Sequence, residues 1–145
     1  MIQKLHKILR SHQFFLLFTW FTRVMLALAF LPSGYKKIMG MRFTQIPVEH
    51  PVGFFFEALY RTGIYWHFLG FIQILAAILL LIPRTSFLGA VIYFPVVINI
   101  FLIVVGMHFV GTPFIAGLML LGNIYLFLWD FPRMQILQKT LLKKP

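Results

Sequence analysis

Cysteine is absent from this chain, which excludes disulfides, thiolate metal sites and cysteine nucleophiles and leaves the redox compartment without a thiol marker. Any redox chemistry therefore needs a borrowed cofactor. Carboxylates are almost as scarce: Glu49, Glu57 and Asp130 are the three acids, set against thirteen lysines and arginines. Glu49 and Glu57 share one segment and Asp130 is far along the chain, so no continuous carboxylate chain can relay protons. Charged residues of both signs make up 11% of the sequence, against about 25% in a typical soluble domain. No spacing resembles a nucleophile elbow, a phosphate loop or a zincin motif, and there is neither an internal repeat nor a low-complexity tract.

What the chain has instead is apolar length. Hydrophobic residues are 61% of the sequence, and four runs of about 20 residues are long enough to cross a hydrocarbon core of about 30 Å as helices. Only helices and closed barrels satisfy their backbone there, and these runs have helix length, not strand length. The spans are expected at about residues 13 to 33, 64 to 83, 87 to 107 and 112 to 130. The predicted fold class is all-α, a membrane-spanning four-helix bundle with short interfacial helices between the first and second spans, in a single domain over 1–145.

The net charge of +10 invites a nucleic-acid reading, but the cations are placed for a membrane. Lys4, Lys7 and Arg10 precede the first span, Arg84 lies between the second and third, and Arg133, Lys139, Lys143 and Lys144 follow the fourth. Four crossings put these on one side, with Lys36, Lys37, Arg42 and Arg61 on the other, so the positive-inside rule places both termini in the cytoplasm, in the manner of a bacterial inner-membrane protein. Anionic headgroups are the expected partner of this charge, with no nucleic acid. The N-terminus resembles a signal peptide, with small residues Ala27 and Ala29, but Arg23 interrupts the apolar region and the run exceeds the usual length. It reads as a retained first span.

Pro32 and Gly34 predict a kink or helix end near the close of the first span. The connection over 35–63 is the one long linker. It contains an amphipathic stretch from Phe54 to Arg61, expected to cap the outer mouth as an interfacial helix. Tyr35, Tyr60, Tyr65 and Trp66 form a candidate aromatic belt. Pro83 ends the second span, and Thr85 or Ser86 can cap the third. Thr112 and Pro113 open the fourth as N-cap and first helical residue.

Near the middle of each span sits a group that hydrocarbon tolerates poorly: Arg23, Gln73, Asn99 and Asn123. An arginine at that depth costs about 2.5 to 3.5 kcal/mol on insertion scales and is a functional-site candidate by default. At about 1.5 Å per residue the four groups lie at comparable depth and could form one polar layer. Two readings stand side by side. Amides can glue helices together, at about 0.6 kcal/mol per hydrogen bond, and Arg23 can be held by carbonyls and amides. Alternatively the layer receives a polar or anionic ligand group at Arg23. A pair with Asp130 requires snorkelling inward, and one with Glu57 requires that segment to dip into the bundle. A helix continuing past Pro32 would return Gly34 and Lys37 to the Arg23 face, lining a path from the outer surface; otherwise Lys36 and Lys37 snorkel to headgroups. His67 and His108 fall on the outer side. Two histidines of nonspecific spacing do not make a haem or metal site, but with Glu57 they could shuttle protons at the outer mouth.

The stretch from Arg23 through Gly34 and Lys37 to Gly40 resembles the opening signature of the DoxX family, an arginine in the first span followed by glycine and lysine at the same spacings. The stretch from Gly70 and Gln73 through Leu81 to Arg84 and Thr85 is similar to that family's second helix. The resemblance implies a four-helix membrane protein, and some members are quinone-linked subunits of oxidoreductases. Relatives often carry glutamate where this chain has Gln73, which removes an intramembrane proton relay. The leading expectation is an accessory membrane subunit without catalytic activity of its own. It binds a quinone-like or other amphipathic ligand through Arg23, Lys37, Gln73, Asn99 and Asn123 and works with a redox partner protein that supplies electrons. The alternative is a structural or assembly protein whose polar layer only stabilises the bundle. A small-solute carrier is disfavoured, since no inverted repeat or interrupted helix pair is evident.

Overall fold

The computed structural model describes residues 12–130, 132, 133 and 135. The cations Lys4, Lys7, Arg10, Lys139, Lys143 and Lys144, on which much of the orientation argument rests, lie outside the described residues. Among the described residues there are α-helices and no strands: α1 Gln13–Ile38, α2 Pro51–Arg61, α3 Ile64–Leu81, α4 Ser86–Gly106 and α5 Thr112–Trp129. All but α2 are long and apolar enough to cross a membrane, with mean hydropathies of 2.0, 2.0, 2.6 and 1.6 in chain order. No more than 33% of any span's most apolar window is buried inside the protein. The outer faces are therefore as apolar as the core, the pattern of a multi-pass membrane protein and the reverse of a helix bundle built for water.

Each span packs on its neighbours in sequence, and α1 closes the ring against α5; its most extensive contact is with α3. One end of the bundle, the terminal side, gathers the start of α1, the α3–α4 turn and the end of α5. The other, the loop side, carries the 39–63 segment with α2, and the α4–α5 turn. The core runs through Leu26, Ala27, Phe30, Ala76, Ala77, Leu80, Ala90, Tyr93, Val97 and Leu126. The alanines let backbones approach, which membrane helices need because lipid offers no hydrophobic drive between them. Large residues fill the remaining space: the rings of Phe30 and Tyr93 stack with centroids 3.7 Å apart, and the Tyr93 hydroxyl donates to the Leu26 carbonyl at 3.2 Å.

Several helix ends differ from the sequence expectation. The first span does not stop near Pro32 but continues to Ile38. A proline inside a membrane helix removes one donor, and neighbouring helices and side chains can re-satisfy the carbonyl it frees. The continuation ends with Lys36 and Lys37 in the last turn, where cations favour the negative end of the helix dipole. Thr85 stands at the N-cap of α4, but its hydroxyl turns back to donate to the Leu79 and Ile82 carbonyls at the end of α3. Gly111, not Thr112, is the N-cap of α5, one residue earlier than expected. The linker helix α2 starts under a ring cap, with the His50 side chain accepting from the Val52 amide and Pro51 at the first position.

Candidate functional site

Both buried cations of α1 lie on the face it turns to the bundle, together with Thr19, Thr22, Leu26, Ala27, Phe30 and Gly34. Their surroundings differ. Arg23 reaches the terminal side, where its Nη2 lies 3.8 Å from Asp130 Oδ2. Asp130 follows the last residue of α5 and is itself buried. It also accepts a hydrogen bond from Ser86 Oγ at 3.5 Å and stands 3.9 Å from Arg133 Nη1. Ser86 and Arg133 in turn both donate to the Pro83 carbonyl in the α3–α4 turn, and Trp20 places its ring 5.6 Å from the guanidinium. Helix Cα–Cβ bonds tilt towards the N-terminus. In α1 that direction is the terminal side, so a side chain rooted about 15 Å deep leans the right way to meet an acid at the helix ends. The inward snorkel to Asp130 weighed in the sequence is the one found, and Glu57 takes no part.

The same tilt has the opposite consequence for Lys37. At the loop-side end of α1 it carries the side chain back into the bundle, away from the headgroups, and Lys37 is only 5% exposed. Nζ donates to Ser33 Oγ at 2.5 Å and approaches the Ser33 carbonyl at 3.4 Å. Ser33 Oγ donates to Gln73 Oε1 at 3.4 Å. The rings of Phe43 and Trp66 lie 4.8 and 5.1 Å from the ammonium. Trp66, expected in the aromatic belt, is instead fully buried, with its indole donating to the Met41 carbonyl at 3.1 Å; Tyr35 and Tyr65 remain half exposed. What presses Lys37 against α3 is a glycine contact. A Cβ on Gly34 would fall 2.9 Å from the Gly70 carbonyl oxygen, and one on Gly70 would fall 2.7 Å from both the Gly34 oxygen and Lys37 Cβ. Only at a pair lacking side chains can the two backbones meet so closely.

The four midspan groups do not form one layer. Gln73 belongs to the Lys37 cluster. Asn123 is fully buried between α4 and α5, donating to the Ala90 carbonyl at 3.2 Å, and its Oδ1 has no hydrogen-bond partner among the described residues. Asn99 is exposed on the outer face of α4, where Nδ2 donates at 3.2 Å to Pro95 of its own helix. The buried stripe of α4 runs through Ala90, Tyr93 and Val97. Two residues beyond Val97 is a rotation of about 200°, which turns Asn99 outward.

Above Lys37, the segment 42–48 and α2 enclose a pocket of about 210 Å³ lined by Arg42, Phe43, Thr44, Gln45, Phe56 and Glu57 among others. It is smaller than the roughly 300 to 1,000 Å³ that takes a drug-sized molecule, and has room for a head group. Glu57 ties its rim together, accepting from Arg42 Nε at 2.8 Å and from Arg61 Nε at 2.9 Å. These hydrogen bonds, Arg42 first, hold the Glu57 carboxyl below its ordinary range and raise Arg42 above its own. Gly53 sits directly beneath the Ile46 and Pro47 carbonyls, where no side chain would fit, which lays the segment flat on α2. His67 Nδ1 lies 2.8 Å from the Gly63 carbonyl, which requires its proton on that nitrogen. His108 is exposed in the α4–α5 turn. Among the described residues no three histidines, aspartates or glutamates stand together as a metal group.

Sequence reasoning missed Ser33, Phe43 and Ser86 as members of these clusters. Ser33 was detectable, one helical turn before Lys37; Phe43 and Ser86 depend on how distant segments pack.

A protein of Bacillus subtilis (strain 168) named "Uncharacterized protein YwoB" is 41% identical to this chain over 87 residues, which is 56% of this chain and 56% of that protein. The match thus spans little more than half the length of that curated relative. No family model matches the chain, and no solved structure does.

Proposed function

We propose that this multi-pass membrane protein is a DoxX-like accessory subunit that holds the polar head of a quinone-like or similar amphipathic molecule at the loop side, while a redox partner protein carries out electron transfer. The observation that carries the reading is Lys37, a buried ammonium whose contacts are a hydroxyl, a carbonyl and two ring faces. Intramembrane ionisable groups of this kind mark functional sites. Lys37 donates to the head group, Ser33 and Gln73 orient it, and the pocket above gives it room. Arg23 moves from the ligand to the scaffold in this reading, because Asp130 already answers its charge. Asn99 drops out of the site. The resemblance at Arg23, Gly34, Lys37 and Gly70 supports the family assignment, and the cations flanking the spans support cytoplasmic termini in a bacterial inner membrane.

The second reading, a structural protein without ligand, is favoured by one specific feature: the terminal-side cluster joins α1, the α3–α4 turn, α4 and the end of α5 through Asp130. Thermal unfolding of the purified full chain with and without a short-chain benzoquinone separates the two. A rise in midpoint that disappears in Lys37→Met is expected. An unchanged midpoint at saturating quinone, together with no copurifying quinone in an absorbance scan, would overturn the quinone assignment.

A further inference from the structure

The chain has three side-chain carboxylates, and the fold accounts for each of them. Asp130 is at the terminal side with Arg23 and Arg133. Glu57 is held by Arg42 and Arg61. Glu49 is exposed in the segment before α2. Lys37 makes no ion pair with any of them among the described residues, yet it is as deeply buried as Arg23, which does. A buried charge is held only when paired or otherwise compensated. Serine oxygens and aromatic faces are good neighbours for an ammonium, but they bring no negative charge.

From this we infer that the counter-charge of Lys37 is brought by the ligand, an amphipathic molecule whose head is a singly charged oxyanion, carboxylate or phosphodiester, seated against Lys37 Nζ with its tail among the helices or in lipid. The inference rests on the reading of Lys37 as the ligand contact and names the ligand's charge. Two further observations agree with it. The loop-side segment 35–63 carries Lys36, Lys37, Arg42 and Arg61 against Glu49 and Glu57, so its mouth attracts anions. Phe43 both lines the pocket and covers Lys37, so the ammonium is one side chain away from a head-group-sized space.

The test uses the full chain purified in a neutral sugar detergent, with thermal unfolding as the readout. The probes are laurate below its micelle threshold, dodecanol as its uncharged counterpart, and a short-chain benzoquinone. Laurate is expected to raise the midpoint and dodecanol to leave it unchanged. Lys37→Arg should keep the response, and Lys37→Met should weaken laurate binding by at least about tenfold, the factor set by losing one hydrogen bond to a charged group. Without any probe, Lys37→Met should unfold at the same temperature as the parent or higher, because it removes an uncompensated buried charge. Should that variant fold poorly, Lys37→Gln serves the same comparison. Reconstitution into phosphatidylglycerol or phosphatidylcholine bilayers separates the sources: selective stabilisation by phosphatidylglycerol assigns the anion to a lipid headgroup, and a laurate response without it assigns a free amphipath. Equal shifts with dodecanol and laurate, or a laurate shift that survives Lys37→Met, would overturn the inference. A response to benzoquinone alone would overturn it and leave the proposed function standing, whereas silence from every probe would sink both.

Discussion

Arg23 and Lys37 lie on one face of one helix, about four turns apart, and both are buried. Arg23 meets a carboxylate that itself touches Arg133 and Ser86, so on the terminal side the buried cation finds a counter-charge within the protein. Lys37 meets a hydroxyl, a carbonyl and rings, so the loop side is closed sterically and open in charge. The contrast teaches that depth in the membrane does not by itself mark a binding group. What separates scaffold from site is whether the protein supplies the opposite charge.

The comparison breaks most visibly at Asp130. Asp130→Asn should destabilise the bundle by about 3 to 5 kcal/mol, the usual penalty for leaving one member of a buried ion pair uncompensated. Arg23→Leu combined with Asp130→Leu should recover much of the loss, and reversible unfolding in mixed micelles measures both. If Asp130→Asn is silent, the two ends are alike and the distinction fails. A smaller effect is expected at the glycine contact, where Gly70→Ala puts a methyl group into the Gly34 backbone and should cost about 1 to 3 kcal/mol by overpacking. Because Lys37 Cβ lies at the same point, that variant should also weaken any ligand response, which a terminal-side substitution should not. The smallest effect concerns Glu57. Its carboxyl is held below the ordinary range, so the tie to Arg42 and Arg61 is fully present above about pH 4.3 and is lost as pH falls through the lower folded value. The protection of residues 42–48 against hydrogen exchange, taken relative to the intrinsic rate at each pH, should therefore fall only in strongly acidic buffer, while the terminal side stays protected.

The four spans were legible because apolar length is a one-dimensional property that sequence records directly. The rotation of each span was not. In water, the polar face of a helix announces the core by contrast, but these helices are apolar all round, so Asn99 on the lipid-facing side and Asn123 in the interior look alike in sequence. A better cue was present in the small residues: Gly89 and Ala90 mark the packed stripe of α4, from which Asn99 is rotated away. Of the two outcomes expected at Pro32, a kink or a helix end, the helix end is not found, for a related reason. Proline ends helices when its freed carbonyl and the following chain find water, and a membrane interior gives the helix little alternative but to go on. The Arg23 pairing was half legible, since both partners could be named, but their difference in depth argued against them until the direction of the side chain was known.

The ring of helices closes where α1 meets α5, through Thr19 with Tyr125 at 2.9 Å and through Arg23 with Asp130. On the ribosome these two strands of the closure are made at nearly opposite times, since α1 emerges ahead of every other described helix and α5 after them. Closure of the ring at Arg23 therefore depends on the last described helix, because the carboxylate that the guanidinium meets stands at that helix's end.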